Sequence, residues 1–262
     1  MEGGWPKDSS GGTIPCSGTG WSYDHNTKTL TLTSGEYDFS STEPVACAIQ
    51  SSATITGGTF EKKVTNNAGG IISGGTFQET CSVTNKSTIK NGTFKKMCRV
   101  ENWSTISGGA FACSVTNYGT INNGTFAGSV TNHGNIEDGT FNGTVTNEGA
   151  NATIKNGTFN ATVTNNANGK IDGGTFAANK EVENWGTITD GTFNGDVINF
   201  EKISDGTFEK LVTNYSDIEK GTFKGEVKNH NGTISGGKFE GTVINDVNGT
   251  ISDGTFNKEV SN

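Results

Sequence analysis

The stretch NWGTITDGTFNGDVIN, residues 184–199, contains the pattern that decides the fold. Its residues recur along the chain as the consensus T-I-x-[D/N/G]-G-T-F-x(3–5)-V-x-N. In every copy an isoleucine lies five residues before the phenylalanine and a glycine lies two before it, while an asparagine follows two residues after the valine. Spacings of 15 to 18 residues separate the phenylalanines Phe60, Phe77, Phe94, Phe111, Phe126, Phe141, Phe159, Phe176, Phe193, Phe208, Phe223, Phe239 and Phe256. Such a period is typical of a solenoid.

The spacing within one copy predicts a coil with three short sides. Side chains on one face of a strand lie at even separations, so the five residues from isoleucine to phenylalanine must include a corner. The glycine before phenylalanine favours that corner because it tolerates positive φ. We therefore predict an all-β fold: a single-stranded, right-handed parallel β-helix, a three-sided solenoid of about 13 coils of 15–18 residues. Columns of stacked Ile, Phe and Val form its core, and the asparagines form a hydrogen-bonded ladder.

The two ends of the chain differ from this pattern. Residues 1–48 lack the consensus, and Leu30 and Leu32 alternate with threonines there, so we expect a β cap at 1–48 and the parallel β-helix at 49–262. The sequence ends on the thirteenth asparagine without a recognisable cap. An uncapped coil presents free strand edges, which predicts continuation of the polypeptide or end-to-end self-association at the C-terminal coil.

Composition and charge exclude several kinds of partner. The formal net charge of -8, with a pI near 4.9, disfavours binding to nucleic acid. No run of about 18 apolar residues is present, so membrane insertion is not expected, and the start MEGGWPKDSSGG has no signal-peptide pattern. Leu, Ile, Val and Phe make up less than a fifth of the chain, and by composition alone this low content is typical of disordered proteins. The columns resolve this, since stacking concentrates the few apolar residues in one thin core.

The five cysteines allow several interpretations. Cys81 and Cys98 take the same position in adjacent coils, four residues after a phenylalanine, so they form a disulfide or a stacked pair of thiols. Cys16 and Cys47 are candidates for a disulfide in the cap, and Cys113 has no evident partner. With no C-x-x-C motif and no histidine at ligand spacing, we predict no metal site and no cofactor.

Candidate catalytic residues are few. Four aspartates share the turn position before a glycine, where aspartate suits the turn itself: Asp138, Asp190, Asp205 and Asp253. Asp190 and Asp205 lie on neighbouring coils, so a weak calcium site or an acid–base pair is the alternative interpretation. His133 and His230 have no companion nucleophile. We predict no catalytic residue and expect that the protein is not an enzyme.

One corner of the coil carries aromatic residues instead. The position after the ladder asparagine holds rings in most successive coils, and these are the candidate ligand-binding strip: Trp103, Tyr118, His133, Trp185, Phe200, Tyr215 and His230. Sugar rings can stack on aromatic surfaces, which would make this a glycan-binding strip. The alternative is that the rings simply cover the corner. Outward threonines, as in TIT at residues 54–56 and 187–189, also suggest an ice-binding solenoid.

The stretch GWSYDHNTKTLTLTSGEYDF, followed by I-x-G-G-T-F and V-x-N copies, resembles the β-helical repeat regions of secreted or cell-surface adhesin-like proteins of Gram-positive gut bacteria. This resemblance implies a non-enzymatic structural stalk or adhesin in an extracellular or cell-surface location, with a polysaccharide or host glycan as partner. Polysaccharide lyases or hydrolases of pectate-lyase-like architecture are the enzymatic alternative. They have longer coils and clustered acidic residues that this sequence does not show.

Overall fold

The computed structural model describes residues 17–18, 20–24, 29–43 and 46–262. It confirms an all-β parallel β-helix of about 13 turns with an asparagine ladder, and the described residues form no helix. The right-handed winding stays a prediction. The chain divides into two compact units, Met1–Val115 and Thr116–Asn262, with the division inside the strand Ser114–Asn117. Phe60 to Phe111 mark four coils in the first unit, and Phe126 to Phe256 mark nine in the second.

The first unit begins with longer strands and then adopts the regular coil. Ser17–Gly18 pairs antiparallel with Trp21–Asp24, and that strand pairs antiparallel with the start of Thr29–Glu43. Thr29–Glu43 then lies parallel to Ala46–Phe60, with Leu32 opposite Ile49. Parallel stacking therefore starts at Thr29, while the division between cap and coils at residue 48 stays a prediction. The remaining strands are Val64–Asn66, Ile71–Ile72, Thr76–Phe77, Ser82–Asn85, Thr88–Ile89, Thr93–Phe94, Arg99–Asn102, Thr105–Ile106 and Ala110–Phe111.

The second unit repeats three short strands in every coil, each ending on or containing a column residue. The Ile strands are Thr120–Ile121, Asn135–Ile136, Thr153–Ile154, Lys170–Ile171, Thr187–Ile188, Lys202–Ile203, Asp217–Ile218, Thr233–Ile234 and Thr250–Ile251. The Phe strands are Thr125–Phe126, Thr140–Phe141, Thr158–Phe159, Thr175–Phe176, Thr192–Phe193, Thr207–Phe208, Thr222–Phe223, Lys238–Phe239 and Thr255–Phe256. The Val strands are Val130–Asn132, Val145–Asn147, Val163–Asn165, Val182–Asn184, Val197–Asn199, Val212–Asn214, Val227–Asn229, Val243–Asn245 and Val260–Ser261.

Like residues lie directly over like residues inside each unit. In the second unit the phenylalanine rings from Phe126 to Phe256 stack with centroids 4.6–4.9 Å apart and planes within 5–11° of each other. In the first unit the rings from Phe60 to Phe111 stack at 4.4–5.1 Å. Nearly all of these rings are fully buried, so each unit forms an apolar core although the chain is poor in apolar residues.

The corner before each phenylalanine shows why glycine and aspartate recur there. Gly191 has a φ of +137°, and a Cβ at this position would lie 3.0 Å from Cε2 of Phe193. Asp190 Oδ1 accepts a hydrogen bond of 2.7 Å from the Gly191 N–H. Asp138, Asp205 and Asp253 accept the same bond from the glycine that follows each of them. In each D-G pair the glycine allows the backbone to turn, and the aspartate side chain stabilises the turn with a hydrogen bond.

The asparagines form a one-way ladder within each unit. In the second unit each Nδ2 from Asn117 to Asn229 donates to the Oδ1 of the next asparagine at 2.7–2.8 Å. Each amide also donates to a carbonyl of its own connector, as Asn184 does to Gly186 O at 2.9 Å. In the first unit Asn66 Oδ1 is the one buried side-chain N or O atom of the described residues without a partner, since Ile49 lies above it.

Candidate functional site

The aromatic corner is positioned by the backbone of the Val strands. The N–H of each corner residue donates to the carbonyl of the ladder asparagine one coil earlier, at 2.7 Å for Trp185, 2.8 Å for Phe200 and 2.8 Å for Tyr215. Because this bond recurs in successive coils, it fixes the position of each corner Cα relative to the coil before it. Side chains at the corner therefore lie above one another at the spacing of parallel strands.

Four rings of the second unit form one stack at this corner. Trp185 and Phe200 have ring centroids 3.9 Å apart, Phe200 and Tyr215 are 5.2 Å apart, and Tyr215 and His230 are 5.0 Å apart. The interplanar angles are 6–21°, so the rings are close to parallel. His230 Nδ1 contacts Asp246 Oδ2 in the next coil, which ends the stack on a carboxylate. We call residues 185, 200, 215 and 230 the ring stack.

A shorter stack lies at the same corner of earlier coils. Tyr118 and His133 stack with centroids 4.8 Å apart and planes within 5°. His133 Nε2 lies 3.6 Å from Glu148 Oε1, and Asn166 Nδ2 donates to Glu148 Oε2 at 3.1 Å. Polar side chains therefore continue the column between the two ring groups. Trp103 takes the same corner position in the first unit, where its N–H donates to Asn85 O at 2.7 Å.

Stacking decides which part of each ring faces solvent. Trp185 is 46% exposed and Tyr215 is 40% exposed, although the inner rings cover one another's faces. Ring edges therefore account for the exposure of Tyr215, whereas Trp185, at the end of the stack, stacks on a ring on one side only. A sugar that stacks face-on needs an open ring face, and the inner rings do not offer one. The inner rings thus present their edges to solvent, and ligand binding at this corner stays a prediction.

The aspartates proposed as an acid–base pair are engaged in their own turns. Asp190 and Asp205 each accept a hydrogen bond from the glycine that follows. Within the described ranges, no group of three or more His, Cys, Asp or Glu residues is arranged to hold a metal ion. The grooves that the structure shows on the Val-strand face are shallow, and one of them is lined by Lys63, Arg99 and Glu101.

Ion pairs on the outer surface of the second unit link neighbouring coils. Lys202 Nζ lies 2.7 Å from Glu219 Oε1, and Lys224 Nζ lies 2.6 Å from Glu209 Oε1. The hydrogen bond from Lys202 lowers the pKa of Glu219 below its usual value. The hydrogen bond to Glu209 raises the pKa of Lys224. These pairs are exposed and support the coil surface weakly.

Three cysteines of the first unit come together, which the sequence analysis recognised only in part. Cys81, Cys98 and Cys113 are buried free thiols in three adjacent coils, with Cys98 between the other two. Cys113, for which the sequence offered no evident partner, is a free cysteine that interacts with Cys98 of the neighbouring coil. Counting back from the valine would have found it, because each of the three lies two residues before a column valine. Cys16 lies outside the described residues, so its disulfide with Cys47 stays a prediction.

Comparisons with known proteins leave the site to be interpreted from its geometry. In the part of the chain that the structure describes, no helix is long and apolar enough to cross a membrane. No family model matches the chain, and neither a curated protein nor a solved structure is significantly similar to it.

Proposed function

We propose that the chain is a non-enzymatic repeat module of a secreted or cell-surface protein, a β-helical stalk or adhesin that binds an extended neutral polysaccharide along its aromatic corner. The observation that carries this proposal is the ring stack, in which Trp185 and Tyr215 remain 46% and 40% exposed although each coil already has a buried core. Exposed aromatic residues in a continuous row are typical of binding surfaces. The resemblance of the sequence to adhesin-like repeat regions supports the extracellular location.

The chemistry of the corner suits a sugar polymer. Aromatic edges carry a partial positive charge, so they attract the oxygen atoms of hydroxyl groups, while Trp N–H and Tyr O–H groups add donors. Ring centroids repeat every 3.9–5.2 Å along the stack, so an extended polymer lying parallel to it would meet the same contact repeatedly. Repeated weak contacts along one chain raise the overall affinity.

Charge favours a neutral ligand over an acidic one. The second unit contains eighteen acidic and ten basic residues, and Glu148 and Asp246 lie in the aromatic corner itself. A polymer of uronic acids or sulfated sugars would be repelled by this surface. We therefore expect neutral glucans, mannans or chitin-type polymers as ligands.

The stalk role is supported by the repetition of one coil. Each coil contacts only its neighbours, so the module can be lengthened without redesigning its core. Ile251, Phe256 and Val260 of the last coil are partly exposed, in contrast to the buried column residues of the coils before it. End-to-end self-association at the C-terminal coil is part of this proposal.

Binding to a panel of immobilised polysaccharides and a glycan array tests the proposal. We expect the wild type to bind a neutral polymer, and Trp185→Ala and Tyr215→Ala to weaken binding about tenfold or more, as for a ring that contributes above 1.4 kcal/mol. Asn166→Ala is the matched control, because residue 166 holds the same corner position without a ring. Circular dichroism confirms that each variant folds.

Three results would contradict the proposal. The first is a wild type that binds no polymer in either assay, and the second is a Trp185→Ala variant that folds and binds as well as the wild type. The third is turnover of a bound polysaccharide, which would favour the lyase or hydrolase alternative. The ice-binding alternative is tested separately by whether the protein shapes growing ice crystals.

A further inference from the structure

The first unit contains a column of three thiols that the proposed function does not use. Cys81, Cys98 and Cys113 occupy adjacent coils, and their exposed fractions are 2%, 3% and 1%. Arg99 lies opposite Ser82 in the parallel register, which places Cys98 beside Cys81. We call these three residues the thiol column.

Local turns hold the thiol column in place. The Cys81 N–H donates to Gln78 O at 2.9 Å, and the Cys98 N–H donates to Lys95 O at 3.0 Å, so the same turn precedes both cysteines. The Arg99 N–H donates to Cys81 O at 3.2 Å, which joins the two coils at this corner. The Cys81 thiol donates to Lys62 O at 2.9 Å. The sulfur atoms are thus held by the backbone and have few alternative positions.

The central position of Cys98 sets its pKa apart from those of its two neighbours. Residues 46–115 include seven basic and three acidic side chains, and Lys96 and Arg99 flank Cys98 in sequence. Hydrogen bonding with Cys113 and Cys81 lowers the pKa of Cys98 below that of an ordinary thiol. The same bonds, together with burial, raise the pKa of Cys81 and of Cys113. Cys98 is therefore the thiol of the column that loses its proton most easily, while the Cys81 thiol donates to Lys62 O.

We propose that the thiol column is a peroxide-reactive redox site in which Cys98 is oxidised first and then forms a disulfide with Cys81 or Cys113. The Cys98 thiolate attacks one oxygen of hydrogen peroxide, the O–O bond breaks, and hydroxide leaves as Cys98 becomes a sulfenic acid. The neighbouring thiol loses its proton and attacks the Cys98 sulfur, forming the S–S bond and releasing water. Overall two thiols and one hydrogen peroxide give one disulfide and two waters.

The spacing of the coils permits this bond. Parallel neighbours lie about 4.8 Å apart, and disulfides join residues with Cα atoms roughly 4.4–6.8 Å apart. Cys98 has a neighbour on each side but can bond only one of them at a time. The third thiol can attack the Cys98 sulfur and displace the first partner, so the disulfide exchanges between the two positions. Either bond staples two successive coils of the first unit.

The test uses the whole chain, reduced and then treated with hydrogen peroxide under native conditions. After denaturation the remaining thiols are alkylated, and tryptic peptides are identified by mass spectrometry. The three cysteines fall on separate tryptic peptides, residues 64–86, 97–99 and 100–155, while Cys47 lies on residues 29–62. We expect cross-links from 97–99 to 64–86 and to 100–155. Met97, which is 73% exposed, reports the peroxide dose through its sulfoxide.

Variants separate the proposed roles. In Cys98→Ser we expect no cross-link between the two remaining column peptides, whereas Cys81→Ser and Cys113→Ser each keep the one cross-link that involves Cys98. Removing both neighbours stops the reaction at a Cys98 sulfenic acid, which dimedone traps. Cys47→Ala is the matched control and keeps the wild-type pattern, because Cys47 lies in the valine column opposite Val64.

Two results would overturn the proposal. One is full alkylation of all three column thiols at a peroxide dose that has already oxidised Met97. The other is cross-linking that persists in Cys98→Ser or that appears only in denaturant. If Cys98→Ser does not fold by circular dichroism, Cys98→Ala replaces it, and the wild-type cross-link pattern remains decisive by itself.

Discussion

The two units of the chain have the same kind of interior and differ on the outside. Both stack Ile, Phe and Val columns beside an asparagine ladder, with nearly identical ring spacings. The first unit balances nine acidic with nine basic residues and contains all five cysteines, whereas the second has eighteen acidic and ten basic residues and no cysteine. Six of the seven corner rings lie in the second unit. The repeat therefore constrains the inward positions and leaves the corners free to acquire separate chemistry.

The largest expected effect tests whether the interiors are equivalent. Phe94→Ala in the first unit and Phe193→Ala in the second each remove a fully buried ring between two others, so each should lower the free energy of unfolding by about 3–5 kcal/mol. Denaturant unfolding measures the loss, followed by the fluorescence of Trp103 in one unit and Trp185 in the other. Phe256→Ala, in the partly exposed last coil, is the control with a smaller loss. Clearly unequal losses for Phe94 and Phe193 would break the equivalence.

The second effect concerns the two ladders. Asn199 both accepts from Asn184 and donates to Asn214, so Asn199→Ala leaves Asn214 Oδ1 unpaired, removes one of the hydrogen bonds of the Asn184 amide and should cost about 1–3 kcal/mol. Asn66 has no partner for its Oδ1, so Asn66→Ala unpairs fewer groups and should cost less. Thermal unfolding of both variants measures the difference. An equal or larger cost for Asn66→Ala would show that the ladder does not stabilise the coils as its hydrogen bonds indicate.

A smaller effect distinguishes the corners from the core. Phe200→Ala removes stacking with Trp185 and Tyr215 and should cost about 0.5–1.5 kcal/mol beyond the apolar area that is lost. Its readout is the emission of Trp185, which should shift towards that of a solvated indole. Glu148→Ala, at a corner position without a ring, serves as control. Unchanged Trp185 emission would mean that the rings do not stack in solution.

The smallest effect concerns the ion pairs of the second unit. Lys202 lowers the pKa of Glu219 below the ordinary 4.5, so the pair stabilises the fold above that pH and the contribution is lost as pH falls through the lowered value. In Lys202→Met the pKa of Glu219 should rise towards its usual value. An NMR titration of the Glu219 carboxyl group measures this change. Lys180→Met leaves that pair intact and should leave the titration unchanged. A Glu219 pKa that stays low in Lys202→Met would contradict the assignment.

The columns were predictable because the same residue type returns at the same place in every coil. The thiol column was only half recognised, since the segment between phenylalanine and valine varies in length and positions counted from Phe77 and Phe111 differ by two residues. The orientation of the corner rings was not predictable either, because the pattern gives the position of Trp185 but not which surface of its ring stays open. The parallel pairing of Thr29–Glu43 with Ala46–Phe60 was not predictable, because Thr29–Glu43 does not contain the consensus pattern.

The asparagine ladder gives each unit a built-in direction. Every side-chain amide points its N–H towards the following coil, so the small dipoles of successive amides add along the axis and do not cancel. A second molecule that prolonged this array would have to approach head to tail, because opposed orientations would bring two donors or two acceptors face to face. A filament formed by stacking these coils would therefore be polar, and its two ends would differ chemically.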